Sequence, residues 1–498
     1  MIEVARARID ELENPVSVRS RSLQAFAVPI ALLILGGGSA WLYYWGRDLH
    51  RFTQWIAAYI GLFIGQLAFY SVASYIVVRW SSRSSHQAKL LTLGLLILFA
   101  IGFRALLVPQ TPYLSQDVYR YVWDGEVQRA GINPYRYDPE ADELRSLRDD
   151  SIFPNIAPDD KRWLSPYPPL AQFVFYAVAV IRPMNVTAFK AAMALLDLIA
   201  MLLLMIVLAR SGLDPARAIF FAWHPLLIFE AAHSGHIESL FIAFIALAIL
   251  AWSRHNDVFT GVALAGAALV KLYPALLLPA FLIALPDAPK VLDRAEKTAI
   301  TPLRRLVHKR NVIVLAAFAA TVSLAYLPYA GAGSNVFGFL RGYFQEEGFV
   351  QSGARYFLLD ALREIVPIPT VVFLIFAGFC FVWVSVWCLF RPKREESDLA
   401  RAALMLIGCY LLLTTPRYAW YYAWLIPFLC LVPRAGWWYL TCASALLYLV
   451  WYTPLVYPQI PLWLGAVIFV PTALWLVWEW LNKSRGDVFK RSEVGVPR

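Results

Sequence analysis

The chain has 498 residues, 60% of them hydrophobic and 16% charged, with a mean hydropathy of +0.57. No single soluble core hides that much apolar surface, so a water-soluble globular domain is excluded and a membrane protein is implied. The formal net charge of +10 lies in short loops and tails and forms no basic face, which excludes nucleic acid as a partner and points to a topogenic role.

Aromatic residues, among them 19 tryptophans and 25 tyrosines, gather near the ends of apolar runs, as in WLYYWGRD and WWYL, where amphipathic rings favour the headgroup level. All five cysteines (Cys380, Cys388, Cys409, Cys430, Cys442) lie in or beside apolar runs without a CxxC pair, so neither a disulfide nor a cysteine metal site is expected. Residues 1–23 carry Glu3, Asp10, Glu11 and Glu13, unlike the short basic start of a cleavable signal, and read as a cytoplasmic tail.

A crossing helix needs roughly 20 apolar residues, and lipid-facing backbone must be helical. By that ruler spans are expected near 24–45, 54–79, 89–108, 168–182, 187–209, 215–232, 237–252, 258–285, 312–330, 370–390, 402–415, 418–433, 436–453 and 462–480, within a polytopic membrane domain at 24–480. Lysine and arginine bias makes 286–311 and 391–401 cytoplasmic. Counting outward from these places both termini inside, with 481–498 a second cytoplasmic tail, and puts loops 109–167 and 331–369 outside. From 113 to 167 there are eleven Asp or Glu against seven Lys or Arg, the reverse of the chain's basic balance, so function is expected to face outward.

In that first outer loop, Ser115 begins a helix expected to run to about Ala130, with Gly131 and Pro134 beyond as stop signals. Asp117, Tyr121, Asp124 and Gln128 share one face, opposite Val118, Val122 and Trp123, as in a helix lying along the membrane with its carboxylates turned to the protein interior. The plainer alternative is a solvated helix whose aspartates merely favour its positive dipole end.

NPYRY at 133–137 and SPYPPLAQFVF at 165–175 follow, the second a proline-led start to the next span. WHPLLIFEAAHSGHIESLFIA at 223–243 packs His224, Glu230, His233, His236 and Glu238 between two short apolar runs, and ionisable groups at that depth are functional candidates. A metal on His233, His236 and Glu238 is disfavoured, because glycine lies between the histidines and no HExxH register exists, although a divalent cation is left open. Lys271 sits near the middle of the run GVALAGAALVKLYPALLLP, where it must snorkel, pair with an acid or hold an anion. Arg417 and Tyr418 in TTPRYAWYYAWLIPF suit either an interface anchor or a phosphate contact.

Outward carboxylates, isolated cations at lipid depth and aromatic lining match glycosyl transfer from a lipid-linked sugar phosphate. Phosphate already leaves well, the acceptor hydroxyl benefits from one base, and a cation can neutralise the departing charge. A glycosidase usually needs two carboxylates.

The ordered blocks SQDVYRYVWDGEVQRAGINPYRY, YPPLAQ, HPLLIFEAAHSGHIESL, VKLYPALLLP and PRYAWYYAWLIPF resemble the GT-C class of integral-membrane glycosyltransferases, and within it the bacterial polyprenol-phosphate-mannose-dependent mannosyltransferases. They are similar too to the enzyme adding the first mannose to GPI anchors. The resemblance spans about residues 105–430. It implies an all-α polytopic membrane protein, a GT-C-like bundle of about 12–14 helices whose outward loop carries short interfacial helices. It further implies a polyprenyl-phosphate sugar donor, a glycan or glycolipid acceptor, inverting chemistry, and a bacterial inner membrane with the site facing out. The catalytic aspartate maps to Asp117 with Asp124 beside it, and Lys271, Arg417 and Arg355 become candidates for the lipid phosphate.

Many members place the acidic loop after their first span, so residues 24–79 read as an addition. The span count puts His233 and His236 at the cytoplasmic end, away from Asp117, unless 215–252 is re-entrant, the reading favoured by runs of under 20 residues. The rival functions are a transporter or flippase of a lipid-linked saccharide, which wants internal repeats, and a ligase or polymerase, which wants an arginine-rich outer loop.

Overall fold

The computed structural model describes residues 26–47, 49, 55–282, 308–338, 356–452 and 460–493. Among them there is no strand. Eight helices are long and apolar enough to cross a bilayer, and five shorter apolar helices accompany them. The chain is a multi-pass membrane protein. The expected tail at 1–23 and Arg355 lie outside the described residues.

Helices α1 (Ala27–Gly46), α2 (Trp55–Trp80) and α3 (His86–Leu107) pack together, and α3 leads into the first long loop. That loop holds α4 (Asp117–Arg129). Ser115 Oγ accepts from the Asp117 amide at 3.2 Å, and Gly131 ends the helix with φ +80, close to the expected limits. The amphipathic expectation is corrected: Val118, Tyr121, Val122, Trp123, Asp124 and Val127 are all buried, so α4 is enclosed on both faces instead of lying on a lipid surface.

Its neighbour α5 (Pro169–Ile181) lies alongside α4 and does not cross. Both of its ends stay on α4. Near the start, Gln128 Nε2 donates to Gln172 Oε1 at 2.9 Å, and just past the end the Met184 amide donates to Glu126 Oε1 at 2.8 Å. Gly125 permits the contact, since a Cβ there would stand 2.4 Å from the Phe175 carbonyl oxygen.

Helix α6 (Val186–Arg210), capped by the Asn185 side chain, starts beside the end of α3, where the Lys190 ammonium bonds the Leu107 and Gln110 carbonyls. It shows Leu195, Ile199, Leu202 and Ile206 to lipid and buries Asp197 in an ion pair with Arg104. The chain returns through 215–234 as a broken element: a 3-10 turn, two single α turns and a π turn, Phe229–Ser234. Pro215 and Pro225 interrupt the helical ladder. Protein groups take up the freed polar atoms: Arg104 donates to the Ala222 carbonyl at 3.0 Å and Tyr70 to that of Phe220 at 3.1 Å. Irregular backbone at membrane depth is tolerated because it is enclosed by protein.

Helix α7 (Glu238–Ser253), buried almost throughout, leads away again and α8 (Asp257–Ala268) comes back. The expected single span at 258–285 is instead a reversal. Residues 269–272 turn beside α5, with the Leu170 amide on the Leu269 carbonyl at 3.0 Å, and 273–281 runs back until Trp252 Nε1 reaches the Phe281 carbonyl at 3.2 Å. The non-crossing α5 and the doubled pass at 257–281 cancel in the span count. Arg310, at the start of the next helix, therefore keeps its expected end, while His233 and His236 move to the end that holds Asp117.

Helix α9 (Lys309–Tyr326) is tied at its start by Arg310 to Asp257 at 2.8 Å, and the 3-10 stretch after it docks on the first loop, where Tyr329 donates to Gln128 Oε1 at 2.8 Å. Then come α10 (Phe357–Arg363), the lipid-exposed α11 (Thr370–Phe390), α12 (Glu396–Thr414), the short elements Ala419–Leu431 and Ala435–Val450, and α13 (Leu462–Glu493), which continues as helix past 480. Lys393 bonds the Pro279 and Leu282 carbonyls, placing the second basic linker at the far end from α4.

Candidate active site

Four stretches meet at the loop end of the bundle: the start of α4, the turn at 234–238, the reversal at 269–272, and 415–424. Asp117 opens α4 and is the partly accessible member, its side chain 28% exposed. Ser115 Oγ donates to Oδ1 at 3.0 Å and Tyr121 to Oδ2 at 3.4 Å. Burial pushes the Tyr121 hydroxyl well above its ordinary range, and the negative charges of Asp117 and Glu238 add to this, so it remains a donor.

His236 Nε2 stands 3.6 Å from Asp117 Oδ2 and its Nδ1 lies 2.6 Å from Glu230 Oε2. Gly235 makes this turn: its φ is +72, and a Cβ there would meet Lys190 Cγ at 2.9 Å and Val118 Cγ2 at 3.1 Å. The glycine that counts against a metal motif is thus what brings His236 to α4. His233 instead packs its ring on Tyr113 at 4.0 Å, and Glu238 turns to Lys271. The three groups diverge, and no cluster of three metal-ligating side chains occurs among the described residues.

Lys271 stands in the turn after α8, close to the loop end and not mid-membrane. It pairs with Glu238 and lies 5.3 Å over the Tyr421 ring. Trp420 covers His236 at 4.1 Å, Tyr418 stacks beside Trp420 at 4.6 Å, and Tyr273 lies 5.3 Å from Tyr421. These rings form an aromatic wall joining Asp117 to Lys271. Arg417, buried, approaches the Tyr418 ring at 5.9 Å.

Asp124 shares a helix face with Asp117 but not its surroundings. It is 2% exposed, with Arg120 at 2.8 Å on Oδ1 and Ser165 and Gln172 on Oδ2. The Arg120 guanidinium goes on to the Asp160 and Trp163 carbonyls. Burial works against its charge, but Asp124 and Asp160 outweigh that and hold its pKa above the usual value. The pair fastens the loop and has no open side. Sequence reasoning passed over Arg120, Trp420 and Tyr448. It noted Glu230 only as one acid among several, although the six-residue interval to His236 across a glycine was there to be read.

A family model described as the alpha-(1->6)-mannopyranosyltransferase N-terminal domain matches residues 23–287, and the model of glycosyltransferase family 87 matches residues 163–416. The chain belongs to the GT-C mannosyltransferases. The first match begins at residue 23, so the family model takes in α1 and α2, and residues 24–79 are not an addition to it. Neither curated proteins nor solved structures yield a match. As a membrane glycosyltransferase the protein takes a sugar donor and a glycan acceptor, and the two matched regions together contain Asp117, His236, Lys271 and, at its edge, the 415–424 segment up to Pro416.

Proposed function

We propose that this glycosyltransferase moves a hexose, mannose in our reading, from a polyprenyl phosphate to an acceptor hydroxyl with inversion, using Asp117 as the base. The observation that carries the reading is the environment of Asp117: an accessible carboxylate among otherwise buried polar groups, steadied by Ser115 and Tyr121 and edged by aromatic rings suited to sugar faces. A base so placed takes the acceptor proton as the new bond forms at the anomeric carbon and the phosphate departs with its bonding pair.

We assign Lys271, with Arg417 and Tyr418, to the donor side of the same wall, Tyr121 to holding Asp117, and Asp124 to fixing the loop. Arg355 stays a phosphate candidate from the sequence alone. The matching of Lys271 by Glu238 tempers its pull on an anion, so polar contacts share the work with charge. The basic end of the bundle, with Arg310, Lys393 and Arg434, supports an inner-membrane placement with the site outward.

The test is membranes containing the protein, offered radiolabelled polyprenyl-phosphate mannose or glucose. Label from the mannose donor should enter a saccharide product. Transfer from the glucose donor alone would overturn the sugar, and transfer from neither, with nucleotide-sugar donors active, would overturn the lipid donor.

A further inference from the structure

Behind Asp117 a single file of polar groups runs into the core. His236 Nε2 faces Asp117 Oδ2 at 3.6 Å, Glu230 Oε2 meets His236 Nδ1 at 2.6 Å, and the Tyr448 hydroxyl donates to Glu230 Oε1 at 2.6 Å. Glu230 is 1% exposed and His236 0%, and Trp420 roofs the imidazole. His236 Nε2 has no hydrogen-bond partner within normal reach. Burying a carboxylate without a compensating cation is costly.

The charged groups that act on His236 are Glu230 from the π turn, Asp117 from α4 and Glu238 from α7; Tyr448 lies beyond Glu230, and the 415–424 segment whose Trp420 roofs the ring also carries Arg417 and Tyr418. The nearby lysines are engaged elsewhere, Lys271 on Glu238 and Lys190 on the carbonyls of Leu107 and Gln110. The imidazole is the basic group in direct contact with Glu230, 2.6 Å from its Oε2.

We propose that His236, held as an imidazolium by Glu230, is a positioning residue for Asp117: its Nε2–H faces the carboxylate, aims it at the acceptor hydroxyl and sets a positive charge beside it. His236 gains and loses no proton in the cycle. The acceptor proton passes to Asp117, the sugar–oxygen bond forms, and the sugar–phosphate bond breaks onto phosphate. This inference rests on the reading of Asp117 as the base.

The test compares pH profiles of kcat for the parent, His236→Asn, Glu230→Gln and Tyr448→Phe, with polyprenyl-phosphate mannose and a synthetic mannoside acceptor. An imidazolium a few ångströms from the base acts on the proton transfer through its charge. The acid limb of the His236→Asn profile should therefore move up by about one pH unit or more, with donor KM within about twofold of the parent. Glu230→Gln should move it the same way, because the imidazole loses the anion that keeps it charged, and Tyr448→Phe less so. If His236→Asn does not fold, the other two variants carry the comparison. Folded variants whose profiles superimpose on the parent's, whatever their rate or melting temperature, overturn the proposal and leave His236 a structural residue. An active Asp117→Asn would overturn the base itself, whereas an inactive Asp117→Asn with unshifted His236→Asn and Glu230→Gln profiles sinks this inference alone.

Discussion

His236 Nε2 stands 3.6 Å from Asp117 Oδ2 although two passes through the bundle, α6 and the broken element 215–234, separate the residues along the chain. The contact requires that α5 not cross, that 215–234 return the chain, and that Gly235 turn it. Each requirement is open to measurement.

The path of α5 is tested by cysteine labelling in a background free of the natural cysteines. Arg182→Cys should react from the same side of the membrane as Glu140→Cys in the first loop, and Ser211→Cys from the other. Labelling of position 182 from the side of position 211 would restore α5 as a crossing and remove His236 from the site.

At Gly235 the φ of +72 and the nearness of Lys190 and Val118 leave no room for a side chain. Left-handed backbone costs an ordinary residue roughly 1–2 kcal/mol, before any crowding is added. Gly235→Ala should lower the melting temperature and cut kcat more than tenfold. An unchanged rate would show that the turn does not set His236.

Asp124 and Arg120 form a buried pair whose guanidinium also holds two loop carbonyls. Breaking a buried pair by removing one partner costs about 3–5 kcal/mol. Asp124→Ala should therefore fail chiefly in stability, seen as a lowered melting temperature and loosened proteolysis of 138–162, with material that does fold retaining donor binding. Full stability together with complete loss of transfer would make Asp124 a reacting group after all.

For Lys271 the ion pair with Glu238 separates fold from function. Lys271→Met leaves a buried carboxylate unmatched and should destabilise. The double variant Lys271→Met with Glu238→Gln should recover most of the stability while donor KM stays raised. Donor kinetics restored in the double variant would return Lys271 to a purely structural role.

Much of the site was legible because its parts are short local patterns. Ser115 and Gly131 bracket α4, aromatic residues crowd around Arg417, and an acid opens the helix of the first long loop. What escaped depends on distant partners. Asp117 and Asp124 share a face at seven-residue spacing; Arg120, four residues before Asp124, was a local partner open to reading, but Ser165 and Gln172, which close its other oxygen, lie forty and more residues on. Apolar runs read as crossings by length alone, so neither the proline-bounded α5 nor the reversal at Lys271 announces itself. Arg104 and Asp197, 93 residues apart, offered no local signal of their pairing.

The measurement closest to the central claim is single-turnover transfer by purified Asp117→Asn beside the parent, with donor binding measured on the same samples. With Asp117 as the base, the variant should fold normally, hold donor within a few-fold of the parent's affinity, and transfer about 100-fold or more slowly, the scale of a lost general base. Transfer at the parental rate would contradict that assignment.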